Sequence, residues 1–111
     1  PMAGPTEMSS YRLSPHAEED LHEIARYTTD VWGVEQAQRY ATALERCFLS
    51  IAAGTAVTRG PIPSRPELRV CRCERHFVFS MIESAGEALI IAVLHEKMDL
   101  MVRLRDRLDG R

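Results

Sequence analysis

The sequence predicts an α+β fold: an N-terminal strand, an antiparallel helical hairpin packed on a small, mainly antiparallel sheet, and a short C-terminal helix. Three observations carry that expectation. Residues 14–53 place apolar side chains at helical spacing in two runs split by Gly33. Residues 68–95 hold β-branched, aromatic or continuously apolar runs separated by turn residues, and Leu100, Met101, Leu104 and Leu108 then return to helical spacing. At 111 residues, 45% hydrophobic and 27% charged, the chain suits one globular domain, expected over residues 11–111.

Each element has its own reason. "PMAGPTEMSS" is rich in Pro, Gly, Ser and Thr, and residues 1–10 are expected to form a flexible N-terminal arm. Translation starts at methionine, so a chain opening on Pro1 is read as processed there. "SYRLS" offers a short strand with Tyr11 and Leu13 on one face. Ser14 followed by Pro15 is a helix start, since serine caps free amides and proline is tolerated in the first turn. Glu18, Glu19 and Asp20 then complement the helix dipole. Ala17, Leu21, Ile24, Ala25 and Thr28 form the buried stripe of a first helix, expected to end near Thr29, with Gly33 closing the segment. A second helix is expected from Val34 to Ala53, with Ala37, Tyr40, Ala41, Leu44, Phe48 and Ile51 as its stripe and Gly54 as its stop. Trp32 and Tyr40 are read as packing residues of the hairpin and its turn.

"TAVTRGPIPSRPE" contains Pro61, Pro63 and Pro66 and is expected to be an ordered loop without helix or central strand. Three strands follow: "LRVCRC", "HFVFSMIE" and "ALIIAVLH", the last apolar throughout, as a strand covered on both faces should be. A turn at Ser84–Glu87 makes the last two antiparallel. The final helix is expected from about Met98 to Leu108, with Asp99 favouring its first turn and Met98 packing beneath it.

Composition also excludes classes of function. No apolar stretch reaches the roughly 18 residues of a membrane span, and no secretory signal is visible, so a cytoplasmic location is expected. Cys47, Cys71 and Cys73 are read as reduced thiols that serve as buried small hydrophobes, the last two on one face of their strand. "HEKMD" at His95–Asp99 is not a zinc motif, because Asp99 stands where a second histidine is needed. His16, His22, His76 and His95 have no close-spaced ligating partners, so neither metal nor cofactor is expected. There is no nucleophile elbow and no Gly-rich phosphate loop. Phosphodiester cleavage asks for less, only a base, an acid and cations drawn from scattered positions. Arg69, Arg72, Arg75, His76 and His95 lie on the expected strands and supply those types, although Arg69 and Arg72 point to opposite faces. The basic excess is concentrated in "RGPIPSRPELRVCRCER", with five arginines against two glutamates, which suits an acidic partner.

Four stretches together resemble the ParE branch of the RelE/ParE superfamily of bacterial type II toxins. "SPHAEEDLHEIARYTTDVWGVEQAQRY" carries Asp20, Leu21, Ile24, Tyr27, Trp32, Gly33, Ala37 and Tyr40 at the family's hairpin positions. "SRPELR" is similar to its Arg-Pro-Gly-Leu-Arg, "ERHFVF" to Gly-Arg-His-x-Ile-Phe, and "AVLHEKMD" to Arg-Val-Leu-His-x-Arg-Met-Asp. Glu67 and Glu74 stand where that pattern has glycines, and Ala92 where it has an arginine. The resemblance covers residues 11 to 105 and implies the same fold. It further implies a toxin neutralised by a co-expressed, ParD-like antitoxin in a hetero-oligomer, with DNA gyrase as the target, no catalytic centre, and a part in plasmid stabilisation. RelE members instead cut messenger RNA on the ribosome, and on that alternative Arg75, His76 and His95 are the catalytic candidates. A domain with amphipathic helices and a basic sheet edge can receive a disordered, acidic segment, so Arg69, Arg72 and Arg75 are the expected antitoxin-binding residues.

Overall fold

The computed structural model describes residues 10–83, 86–98 and 100–110. Its elements are β1 (Tyr11–Leu13), α1 (Pro15–Trp32), α2 (Val34–Ala53), β2 (Leu68–Cys73), β3 (His76–Ile82), β4 (Ala88–His95) and α3 (Leu100–Gly110). The strand order is β1-β4-β3-β2, with β1 parallel to β4 and the other pairs antiparallel. This is the expected α+β architecture. Residues 1–9, Ser84, Ala85, Asp99 and Arg111 lie outside the described residues, and with them most of the expected arm, half of the Ser84–Glu87 turn and the acid expected in the first turn of the last helix.

Ser14 turns β1 into α1. Its backbone is extended, its hydroxyl accepts from the Ala17 amide at 3.1 Å, and Pro15 sits in the first turn, where its missing N–H costs nothing. Helix α1 runs to Trp32, a turn beyond the expected end near Thr29. Nothing in that turn breaks a helix: Thr28 folds its hydroxyl back onto the Ile24 carbonyl at 2.8 Å. Past Ser14 the first residue at positive φ is Gly33, at 92°, whose amide bonds Thr29 O and whose carbonyl receives the Ala37 amide. One glycine thus ends α1 and begins α2. Helix α2 stops at Gly54, at φ 77°.

Strand β4 is buried from Ala88 to Leu94 because both its faces are covered. Ala88, Ile90 and Val93 pack with Ala17, Leu44, Phe48 and Ile51 of the hairpin. Leu89, Ile91, Ala92 and Leu94 pack with Leu104 of α3, flanked by Leu100 and Leu108. Two successive residues, Ile91 and Ala92, share one face because the pairing jumps from Phe79–Ala92 to Ser80–Ile90, leaving Ile91 as the extra residue of a bulge. The Ile91 carbonyl is taken up by the Ser14 hydroxyl and the Arg107 guanidinium, both at 3.3 Å. Of the expected face of α3, the Met101 side chain is outside the description.

The proline-rich segment 55–67 is a loop, as expected, and touches the outer edge of β2 through an Arg59–Val70 bridge. Among the described residues no helix is long and apolar enough to cross a membrane.

Candidate functional site

Helices α1 and α2 outrun the sheet at the Gly33 end, leaving a groove of about 880 Å³ between the hairpin, the β2–β3 turn and the exit of β4. Its floor is polar and tightly organised. Tyr40, one of the apolar-stripe positions of α2, sends its hydroxyl across to the sheet, where the oxygen accepts from the Arg75 amide at 3.1 Å. The same hydroxyl lies 2.5 Å from His76 Nδ1.

The direction of that second bond follows from charge. His76 is only 8% exposed, and burial, with the neighbouring His95 ring second, lowers its pKa to about 4. Burial raises the Tyr40 pKa, so its proton stays in place. At neutral pH Tyr40 therefore donates to a neutral imidazole, and the ring proton resides on Nε2. His76 and His95 are cross-strand partners whose rings meet edge to face at 5.2 Å. His95 Nδ1 accepts the Lys97 amide at 3.1 Å, which turns the chain out of the sheet.

Beneath them Asp20 binds three donors: the Val93 amide at 2.9 Å and the two terminal nitrogens of Arg107 at 2.9 and 2.8 Å. Asp20 was expected to favour the helix dipole; its larger task is to fasten α3 and the open edge of β4 to α1. Both partners are mostly buried, and the planar fork of the guanidinium matches the carboxylate, so the pair is the kind whose disruption is costly.

The rim is apolar and aromatic. Trp32 is 64% exposed and Tyr27 62% exposed, and Met98 faces them at 40% exposure. Two sequence expectations change here. Trp32 is not a packing residue, because it lies on the overhang, past the last strand residue that could cover it. Met98 is not beneath the last helix: Glu96–Met98 form a turn, and α3 starts only at Leu100.

The expected antitoxin-binding arginines separate. Arg69 is drawn toward the loop, donating to Thr58 Oγ1 at 3.1 Å and to the Thr58 carbonyl at 3.0 Å. Arg72 is on the other face, ion-paired with Glu96 and 5.3 Å above the Phe77 ring. Arg75 alone of the three lines the groove, where Lys97 joins it, and neither has an ion pair among the described residues. Arg75, His76 and His95, the residues of the alternative catalytic reading, all line this groove. Tyr27, Lys97 and the Tyr40 hydroxyl were not singled out from the sequence as site groups. For Tyr40 the signal was its polar tip on an otherwise apolar stripe.

Glu23 and Glu74 also border the groove, so its charge is mixed. A polyanion is poorly served by such a surface; a protein segment with an apolar anchor and charges of both signs fits it. No group of three or more His, Cys, Asp or Glu side chains is placed to hold a metal ion among the described residues.

A family model described as the ParE toxin of the type II toxin-antitoxin system parDE matches residues 11–100. Toxin ParE of Escherichia coli is 45% identical over 103 residues, covering 93% of this chain and all of that protein. Toxin ParE1 of Caulobacter vibrioides is 36% identical, covering 87% of this chain and 99% of its own length. Among solved structures, a chromosomal ParDE toxin-antitoxin system from P. aeruginosa superposes with a TM-score of 0.62 at 17% identity, over 79% of this chain and 96% of that one. At that identity the match speaks for the fold.

Proposed function

The chain belongs to the ParE toxin family of type II toxin-antitoxin systems, and on that premise we propose that it acts in the cytoplasm by binding DNA gyrase, without a catalytic centre of its own, and is held inactive by a ParD-like antitoxin in a hetero-oligomer. The observation that carries the non-catalytic reading is the Tyr40–His76 bond. A general acid–base pair needs an imidazole free to exchange protons with substrate near neutral pH. His76 has one ring nitrogen committed to Tyr40 and a pKa of about 4, so it is not an acid at neutral pH.

The antitoxin contact is proposed for the groove, with Arg75 and Lys97 meeting carboxylates and Tyr27 and Trp32 meeting an apolar side chain. Arg69 and Arg72 contribute less, because each already holds a partner in its own chain. A ribosome-dependent endoribonuclease is the second reading, favoured by the meeting of Arg75, His76 and His95 on one groove.

Expression without antitoxin separates the two. Gyrase-linked DNA breaks and a DNA-damage response are expected, with messages intact. Absent breaks together with messages cut at defined codons would overturn the gyrase reading and establish the second.

A further inference from the structure

Three cysteines meet at the seam between α2 and β2, one layer behind the groove. The Cys47 and Cys71 sulfurs are 3.5 Å apart, and the Cys73 thiol donates to the Ala43 carbonyl at 3.5 Å. Cys71 and Cys73 are two residues apart in a strand, so both sulfurs face the helix. All three thiols are free and partly buried. Burial raises the pKa of Cys47 and of Cys73, and for Cys47 the adjoining Cys71 and Cys73 sulfurs raise it further. Cys47 therefore keeps its proton, and in its contact with Cys71 either thiol can donate. Cys71 is half-buried, and its sulfur lies 3.7 Å from the Arg72 carbonyl.

Two of the thiols meet sulfur to sulfur across a helix–strand boundary. A disulfide needs the sulfurs at about 2.05 Å, and at 3.5 Å the two already stand in contact with no side chain between them. We propose that Cys71 and Cys47 form an oxidation site, in which a peroxide converts the contact into a disulfide that joins α2 to β2. In the first step the Cys71 sulfur attacks one peroxide oxygen and the O–O bond breaks, giving Cys71 sulfenic acid and water. In the second the Cys47 sulfur attacks the sulfenic sulfur, the S–O bond breaks, and the hydroxyl leaves as water with the Cys47 proton. Two thiols are oxidised and one peroxide is reduced to two waters. The new bond closes a loop spanning 24 residues. It fixes the segment of α2 that carries Tyr40, so the oxidised toxin should unfold less readily while the groove keeps its shape.

The full chain, treated with a small excess of hydrogen peroxide and then alkylated, should yield an intramolecular Cys47–Cys71 cross-linked peptide that dithiothreitol removes. Its melting temperature should rise by about 10 °C on oxidation and fall back on reduction. Cys47→Ser should leave Cys71 as a sulfenic acid that dimedone labels, whereas Cys73→Ser should cross-link like the parent. Mapping on the parent protein and on Cys73→Ser decides the matter even if Cys47→Ser fails to fold. A Cys71–Cys73 bridge, a disulfide between two chains, or Cys71 driven to sulfinic acid beside an alkylated Cys47 would each overturn the proposal.

Discussion

The two ends of the helical hairpin contain similar side chains and treat them oppositely. At the end anchored by Ser14, Ala17, Phe48 and Ile51 are buried against β1 and β4, with Phe48 tilted on Tyr11 at 5.4 Å. At the Gly33 end, Tyr27, Val31, Trp32 and Val34 are all half or more exposed. Lengths explain the difference. The 20 residues of α2 extend about 30 Å, while the seven of β3 reach only about 23 Å. Because the helices are pinned at the Ser14 end, the surplus overhangs at the other. Apolar area spent inside the fold stabilises it; the same area on an overhang is available only to a partner. One hairpin therefore has a folding end and, on the function proposed above, a recognition end.

That division can be broken most forcefully at the folding end. Phe48→Ala removes a ring that is 3% exposed, and should cost about 3–5 kcal/mol in denaturant unfolding. A cost under about 1 kcal/mol would mean that the Ser14 end is not where the hairpin is secured. The middle of the hairpin should show itself through pH. His76 has a folded pKa of about 4 against an ordinary value of 6.5, so between those limits the unfolded chain binds the extra proton. Its contribution to stability is complete above about pH 6.5 and is lost as pH falls toward 4, up to about 3 kcal/mol in all. Tyr40, His95 and Arg75 surround the ring, and Asp20 and Glu96 partly offset its depression. His76→Gln should flatten the stability profile in this window; an unchanged slope would place its origin elsewhere.

Local signals were enough for most of the fold. Ser14–Pro15, Gly33 and Gly54 are punctuation that acts within a few residues, so the hairpin could be read directly, and the uninterrupted apolar run of β4 announced cover on both faces. Glu74 was visible only as a departure from the family's glycine. The structure gives the reason for that glycine: Glu74 holds φ at 55°, the left-handed conformation that the two-residue β2–β3 turn demands. The site was less legible because it depends on pairs 24 to 87 residues apart, such as Arg72–Glu96, Tyr40–His76 and Asp20–Arg107. Alternation placed Arg69 and Arg72 on opposite faces but could not say that Thr58 and Glu96 would engage them. Nor could helical periodicity reveal that Trp32 lies past the end of the sheet, since the overhang is a property of two lengths compared and not of either sequence pattern.

Trp32 gives the mildest change to the folded protein and the sharpest test of the recognition end. At 64% exposure Trp32→Ala forfeits little internal packing, and the stability change should stay within about 0.5 kcal/mol. Binding should respond quite differently. An exposed indole bordered by Tyr27, Met98 and the Arg75–Lys97 cations has the composition of an interface anchor, and truncating such an anchor typically costs about 2 kcal/mol or more. Titration calorimetry with the cognate antitoxin should therefore show affinity weakened by about 30-fold. Unchanged affinity would move the antitoxin off the groove. A stability loss above about 1 kcal/mol would show that the tip belongs to the fold after all, and the contrast between the two ends would then be one of degree.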